Sequence, residues 1–273
     1  MSDLPPVDGP GEAEADGKFQ LFGVAVHATT YEKATDAIIE AAKQGRPFAV
    51  SALATHGLMY AVARPEFAQI LNRLDLVTPD GQPVRWAMNA LLGTNLADRV
   101  YGPVLADRVS AAAAREGLPL YLFGSTRETS SRLVDALTTR HPSLIVAGAQ
   151  PDRFREATME EDEEDVKRIV ASGAQVILVG RGCPRQERWV DDHRDTILAP
   201  MLAVGAAFDY LGGTLRPPPA WMQDRGLEWL HRLWLEPRRL WRRYLYANTM
   251  FLGYFGRAWV QKQRRSLSRG DHQ

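Results

Sequence analysis

The chain is poor in cysteine. Cys183 stands alone among 273 residues, which excludes an internal disulfide and fits a reducing compartment such as the cytoplasm. No apolar run approaches the roughly 20 residues that a membrane-spanning helix needs, and no apolar leader core follows Met1. Any membrane contact is therefore expected to be peripheral. The cation-holding pair Asp-x-Asp occurs nowhere, so no metal is expected, and no cofactor. Net charge is absent too, with 33 Lys/Arg against 33 Asp/Glu.

That balance hides an asymmetry. From Arg216 onward there are 12 Lys/Arg against 4 Asp/Glu, and five of the seven Trp lie there: Trp221, Trp229, Trp234, Trp241 and Trp259. Cations interleaved with amphipathic rings suit an anionic membrane surface, a diphosphate or a nucleic acid. A solvated helix with one aromatic core face would read the same way. The lack of net positive charge in the preceding residues argues against nucleic acid.

Residues 1–18 are rich in Pro, Gly, Asp and Glu and are expected to form a disordered tail. Apolar runs then recur at Phe19–Val26, Phe48–Ala54, Leu74–Thr78, Leu118–Phe123, Leu144–Ala149, Val176–Val179 and Met201–Phe208. Segments with helical spacing lie between them: Tyr31–Gln44, Pro65–Asn72, Leu105–Glu116, Glu128–Arg140 and Met159–Ser172. This alternation predicts an α/β, Rossmann-like fold with a largely parallel sheet covered by helices on both faces. The acidic run Glu160–Asp165 reads as a solvated helix start. Pro217, Pro218 and Pro219 can continue neither strand nor helix, so a catalytic domain is expected over 19–215 and a basic, aromatic helical appendage over 216–273. In that appendage Arg225–Leu235 and Arg238–Lys262 read as two helices. On the second, Arg238, Arg239, Arg242 and Arg243 share one arc at about 100° per residue, with Trp241, Tyr244 and Leu245 opposite.

Ligands of such sheets bind beyond the carboxyl ends of the strands, so the chemistry is sought in the loops that follow them. Asp80, between Pro79 and Gly81, could serve there as a general base, although Pro-Asp-Gly is also a common turn. Gly124 and Ser125 follow another strand, where small residues let backbone approach a nucleotide. In Gly180–Glu187, Gly-x-Gly hints at a dinucleotide fold, but Pro184 and Arg185 break that fingerprint. Gln186 and Glu187 at a helix head can bond a sugar or uracil edge, and Asp209 can accept from ribose or uracil. Cys183 reads as space-filling.

Together VGRGCPRQERW, LAVGAAFDYLGG and RPPPAWMQDRGLEWLHRLWLEPRRLWRRY, with Pro79–Asp80–Gly81 and Arg99–Val100–Tyr101–Gly102–Pro103 upstream, resemble the WecG/TagA/CpsF family of bacterial glycosyltransferases. The resemblance implies transfer from a UDP-sugar to a polyprenyl-linked glycan acceptor, at the cytoplasmic face of a membrane, in exopolysaccharide or wall-polymer synthesis. It implies that Asp80 is the base, with Thr55 as a weaker match because His56 stands where the family usually has Asn. It places Arg99, Tyr101, Gly102, Gly124, Ser125, Gly180, Arg185, Gln186, Glu187 and Asp209 at the donor. With no Asp-x-Asp, Arg216, Arg232, Arg238, Arg239, Arg242 and Arg243 are left to meet the diphosphate and the membrane. Arg216–Trp221 carries one residue more than the family's Arg-Ala-Pro-x-Trp, with Pro217, Pro218 and Pro219 in a row. A non-catalytic nucleotide- or nucleic-acid-binding module is the alternative, and homo-oligomerisation stays open.

Overall fold

The structure, a computed structural model, describes residues 17–270. The chain opens with an antiparallel hairpin, β1 (Lys18–Leu21) and β2 (Val24–His27). The apolar run Phe19–Val26 is therefore two strands rather than one. Phe22 at φ 54° and Gly23 at φ 84° reverse the chain between them, in the left-handed conformation that short hairpin turns need. Lys18 belongs to β1, so the expected tail ends at least one residue early; residues 1–16 lie outside the described part.

Six further strands build one all-parallel sheet: β3 (Phe48–Leu53), β4 (Leu76–Pro79), β5 (Leu120–Gly124), β6 (Val146–Gln150), β7 (Val176–Gly180) and β8 (Pro200–Ala203). Their spatial order is β4-β3-β8-β7-β5-β6. Alternation along the strands divides the core. Ala49, Leu53, Val77, Phe123, Ile177, Val179 and Met201 face one apolar layer, and Val50, Leu76, Leu120, Leu122, Val176, Leu178 and Leu202 face the other, as expected for a sheet buried on both sides.

Helices α1 (Tyr31–Lys43), α5 (Gly102–Glu116), α6 (Arg127–Arg140) and α9 (Ala207–Leu211) bury residues in the second layer. Helices α2 (Thr55–Val62), α3 (Pro65–Arg73), α4 (Gln82–Ala87), which runs on as a π-helical turn over Met88–Leu92, α7 (Met159–Ala171) and α8 (Arg185–Asp192) cover the first. Neighbouring β3 and β8 thus send their next helices, α2 and α9, to opposite faces, which opens a crevice over their carboxyl ends. Met201–Phe208 is a strand only as far as Ala203; Gly205 at φ 52° ends it and Ala207 starts α9. Thr158 and Glu161 form a capping box at the start of α7. The acidic run there is not wholly solvated, since Asp165 is 1% exposed and accepts from Arg153 and Gln150.

Beyond the prolines come α10 (Ala220–Asp224), α11 (Glu228–Leu235) and α12 (Pro237–Gly270). Helix α12 lies across α2. Its Ala247, Phe251 and Ala258 belong to the first core layer, with the Phe251 ring edge-on to Phe22 at 6.3 Å between centroids. The segment after residue 215 thus shares the domain's core. Gly226, at φ 66°, fits it against α4; a β-carbon there would come within 2.9 Å of the Trp86 ring.

Candidate active site

Asp80 follows β4 directly. Its backbone N–H donates to Leu53 O at 3.2 Å, and its Oδ1 accepts the Gly102 N–H, the first of α5, at 2.8 Å. Gly102 has to be small: a β-carbon would meet Ala52 Cβ at 3.2 Å and Val204 O at 3.3 Å. Gly81 likewise turns tightly past Thr55, the first residue of α2, where a β-carbon would lie 3.2 Å from Oγ1. Thr55, Asp80 and Gly102 therefore meet at one edge of the sheet.

Burial pushes the Asp80 carboxyl up to about 7, against the Arg99 cation and the Gly102 N–H that favour its charged form. Arg99 is 5% exposed and grips the Glu228 carboxylate of α11 with both terminal nitrogens. Its guanidinium also covers the Tyr101 ring at 4.2 Å. Arg99, expected at the donor, is thus paired with a carboxylate of the C-terminal segment. Tyr101 stands 6.2 Å from Tyr210 between ring centroids, and its backbone N–H donates to the Tyr31 hydroxyl at 3.0 Å. Burial raises both phenols, Tyr210 to about 12, so both stay protonated near neutrality.

Arg232 of α11 closes this group. It lies 5.9 Å from the Tyr210 ring centroid and 3.6 Å from Glu236, while its buried Nε has no hydrogen-bond partner among the described residues. A buried guanidinium N–H left unsatisfied is costly, and an anionic ligand would relieve it. Asp209, on α9 rather than at a strand end, is raised by burial against the nearby Arg232, and its carboxylate is 3.5 Å from Thr214 Oγ1.

A second group borders the first through Gly205, whose added β-carbon would sit 3.3 Å from Gln186 Oε1. The Gly182 N–H donates to that oxygen at 3.1 Å, and Gln186 Nε2 donates to Glu187 Oε1 at 2.9 Å. Ser51 reaches the same carboxylate oxygen at 3.5 Å. Gln186 and Glu187 are 4% and 2% exposed, so they are internal rather than laid open at a helix head. Burial raises Glu187. It also raises the Cys183 thiol, which suits a space-filling residue, and lowers His56 to about 4, with Arg243 adding to the effect.

Gly124, Ser125, Gly180 and Arg185 lie over β5 and β7. The smallness of Gly124 and Gly180 serves the fold itself: a β-carbon on Gly124 would meet Gly180 at 2.5 Å, and one on Gly180 would enter the Phe208 ring at 2.4 Å. The Ser125 N–H, at φ 55°, donates to Gly180 O at 2.9 Å. Arg185 is engaged by the buried Asp152, which Arg181 shares.

The six arginines of the C-terminal segment do not converge. Arg232 lies in the site. Arg239 pairs with Glu236, and Arg243 acts on His56, Cys183 and Tyr244. Arg216, Arg238 and Arg242 are exposed. Sequence reasoning gave no role to Glu228, Tyr210, Tyr31 or Ser51. Glu228 and Tyr210 lie inside segments that carry the family resemblance, whereas Tyr31 and Ser51 lie outside them. No group of three His, Cys, Asp or Glu suited to a metal occurs among the described residues.

A half-buried carboxyl raised toward neutrality, with protonated phenols and an unsatisfied guanidinium nearby, suits proton removal beside a phosphorylated ligand. Residues 19–265 match the model of the glycosyl transferase WecG/TagA/CpsF family, and the chain belongs to that family of glycosyltransferases, which implies a nucleotide-sugar donor and a glycan acceptor in cell-envelope polymer synthesis.

Proposed function

We propose that the protein is an inverting transferase that moves a sugar from a UDP-sugar to a polyprenyl-pyrophosphate-linked acceptor in exopolysaccharide or wall-polymer synthesis. Asp80 takes the proton of the acceptor hydroxyl, and the oxygen bonds to the anomeric carbon from the face opposite UDP. The anomeric carbon–oxygen bond breaks, and its electron pair leaves on the β-phosphate. Arg232 meets that charge without a divalent cation. Family membership favours this enzyme over a non-catalytic nucleotide-binding module.

The observation that carries the reading is Asp80 held by the first N–H of α5 at the carboxyl end of β4, with the Arg99 and Arg232 cations favouring its charged form. A carboxyl near 7 is a stronger base than an ordinary aspartate and is still half ionised at neutral pH. Transfer should therefore fall as the medium is made more acidic than about pH 7, where Asp80 takes up its proton. Thr55 adjoins the turn that carries the base, and Asp209 is offered to the donor.

The outer face of α12 supports docking on an anionic membrane. Trp241, Leu245, Tyr246, Leu252 and Trp259 are exposed there, beside Arg238, Arg242 and Arg257. Trp241, Leu245, Tyr246 and Met250 line an open groove of about 460 Å³. Among the described residues no helix is long and apolar enough to cross a membrane, so the contact would be interfacial.

The test is Asp80→Asn. It is expected to lower transfer by about 10²-fold or more, the scale of a lost general base, with UDP affinity unchanged by calorimetry. Transfer at the wild-type rate would reduce Asp80 to a turn residue.

A further inference from the structure

Among the described residues a single ion pair joins the segment after residue 215 to the rest of the molecule, and it is Arg99 with Glu228. Both partners are largely buried, at 5% and 15% side-chain exposure. Arg99 is tethered beside the proposed base. The Val100 N–H donates to Pro79 O at 3.0 Å, Thr78 Oγ1 donates to Val100 O at 3.3 Å, and the Gly102 N–H holds Asp80 at 2.8 Å. Residues 99–102 therefore run alongside residues 78–80. Asp80 Oδ2 has no partner among the described residues, and the carboxylates acting on Arg99 are Glu228 and Asp80. A guanidinium fork binds one carboxylate in the bidentate manner seen here.

We infer that Glu228 is a positioning residue for the base: by occupying both ends of the Arg99 fork it keeps that cation from pairing with Asp80 while it holds the C-terminal segment over the site. The role rests on the reading of Asp80 as the base. Paired with Arg99, Asp80 would be a weak base with both its oxygens engaged. Paired instead with Glu228, Arg99 leaves Oδ2 free for an acceptor hydroxyl. The arrangement couples chemistry to closure, because Glu228 reaches Arg99 only when α11 is docked.

The charged and titratable groups facing Asp80 are Arg99 from the loop before α5, Glu228 and Arg232 from α11, Tyr101 beside α5 and Tyr31 from α1. The two arginines favour the carboxylate and Glu228 opposes it. Removing the Glu228 charge must therefore move the Asp80 titration to lower pH, and removing the Arg99 charge must move it to higher pH.

The experiment is a carbon-13 NMR titration of aspartate carboxyls in the full-length, ligand-free protein, with the Asp80 signal assigned by its loss in Asp80→Asn. Glu228→Gln is expected to lower the Asp80 midpoint by about one pH unit, the scale of a neighbouring opposite charge left uncompensated. Arg99→Gln should raise it, and the double variant Arg99→Gln/Glu228→Gln, a neutral pair of similar shape, should return it toward the wild type. If Glu228→Gln alone does not fold, Arg99→Gln carries the same test with the opposite sign. A midpoint that stays put or moves the other way overturns the inference. A shifted midpoint that the acid limb of transfer does not follow would show Glu228 tuning Asp80 but remove Asp80 from the role of base, and so overturn the positioning role together with the reading on which it rests.

Discussion

The sheet domain and the segment after residue 215 use their apolar residues in opposite ways. In α5, nine of fifteen residues are buried, whereas none of the eight in α11 is, although it carries Trp229, Leu230, Leu233, Trp234 and Leu235. Helix α12 has both habits: Leu240, Ala247, Phe251 and Ala258 are buried, while Trp241, Leu245, Leu252 and Trp259 stay exposed. A helix that only completed the core would not need the second set. The difference teaches that the segment does two jobs, with one face finishing the core and the site and the other left for a surface outside the molecule.

Deleting the chain from Arg216 onward breaks the comparison most severely. It removes Glu228 and Arg232 from the site and uncovers Phe22 and the face of α2 that Phe251 and its neighbours cover. Transfer is expected to be lost. The melting temperature by circular dichroism should also fall, since losing one buried Phe side chain alone costs about 3–5 kcal/mol. The prolines suggest a boundary where the backbone has one, but the core does not stop there. A truncated chain that melts like the full one would show that α12 is only an appendage.

Replacing Trp241 and Leu245 with Ser sharpens the comparison, because both lie on the outer face. Binding to anionic liposomes in a sedimentation assay should weaken by about tenfold or more, given roughly 1.5–3 kcal/mol for each large apolar side chain withdrawn from water. The melting temperature should not change. Equal binding by variant and wild type would assign that face some other purpose.

Much of the sheet was legible in the sequence. The runs from Phe48, Leu118 and Val176 are strands to within two residues, because β-branched and aromatic residues bounded by Gly and Pro leave little choice. Two apolar runs misled for one reason: a short apolar run has no period that tells strand from turn or helix. Phe22–Gly23 hid a hairpin inside Phe19–Val26, and Gly205 hid the switch from β8 to α9. In the site, Asp80 and Gly102 could be found because each needs its local backbone. Glu228 acts on a partner 129 residues away, a pairing that only the folded chain displays. Gly124 and Gly180 were legible as special, and the structure adds a reason within the fold, since a β-carbon on Gly124 would meet Gly180 and one on Gly180 would meet Phe208.

The smallest effect expected is none. Metal-stripped enzyme in excess EDTA should transfer sugar at an undiminished rate if guanidinium groups meet the diphosphate. Activity that vanishes with chelator and returns with Mg²⁺ or Mn²⁺ would reject that part of the reading.

The central claim is that the two regions build one site, and the most direct measurement is the UDP affinity of Arg232→Gln by calorimetry. Arg232 belongs to α11, yet its guanidinium, with Nε unsatisfied among the described residues, lies near the Tyr210 ring and acts on the charges of Asp80 and Asp209. Losing a charged hydrogen bond to phosphate, at about 1.5–3 kcal/mol, should weaken UDP binding roughly tenfold or more while the melting temperature holds. Unchanged UDP affinity in a folded variant would mean that the donor is held by the sheet domain alone, and that the C-terminal segment covers the site without being part of it.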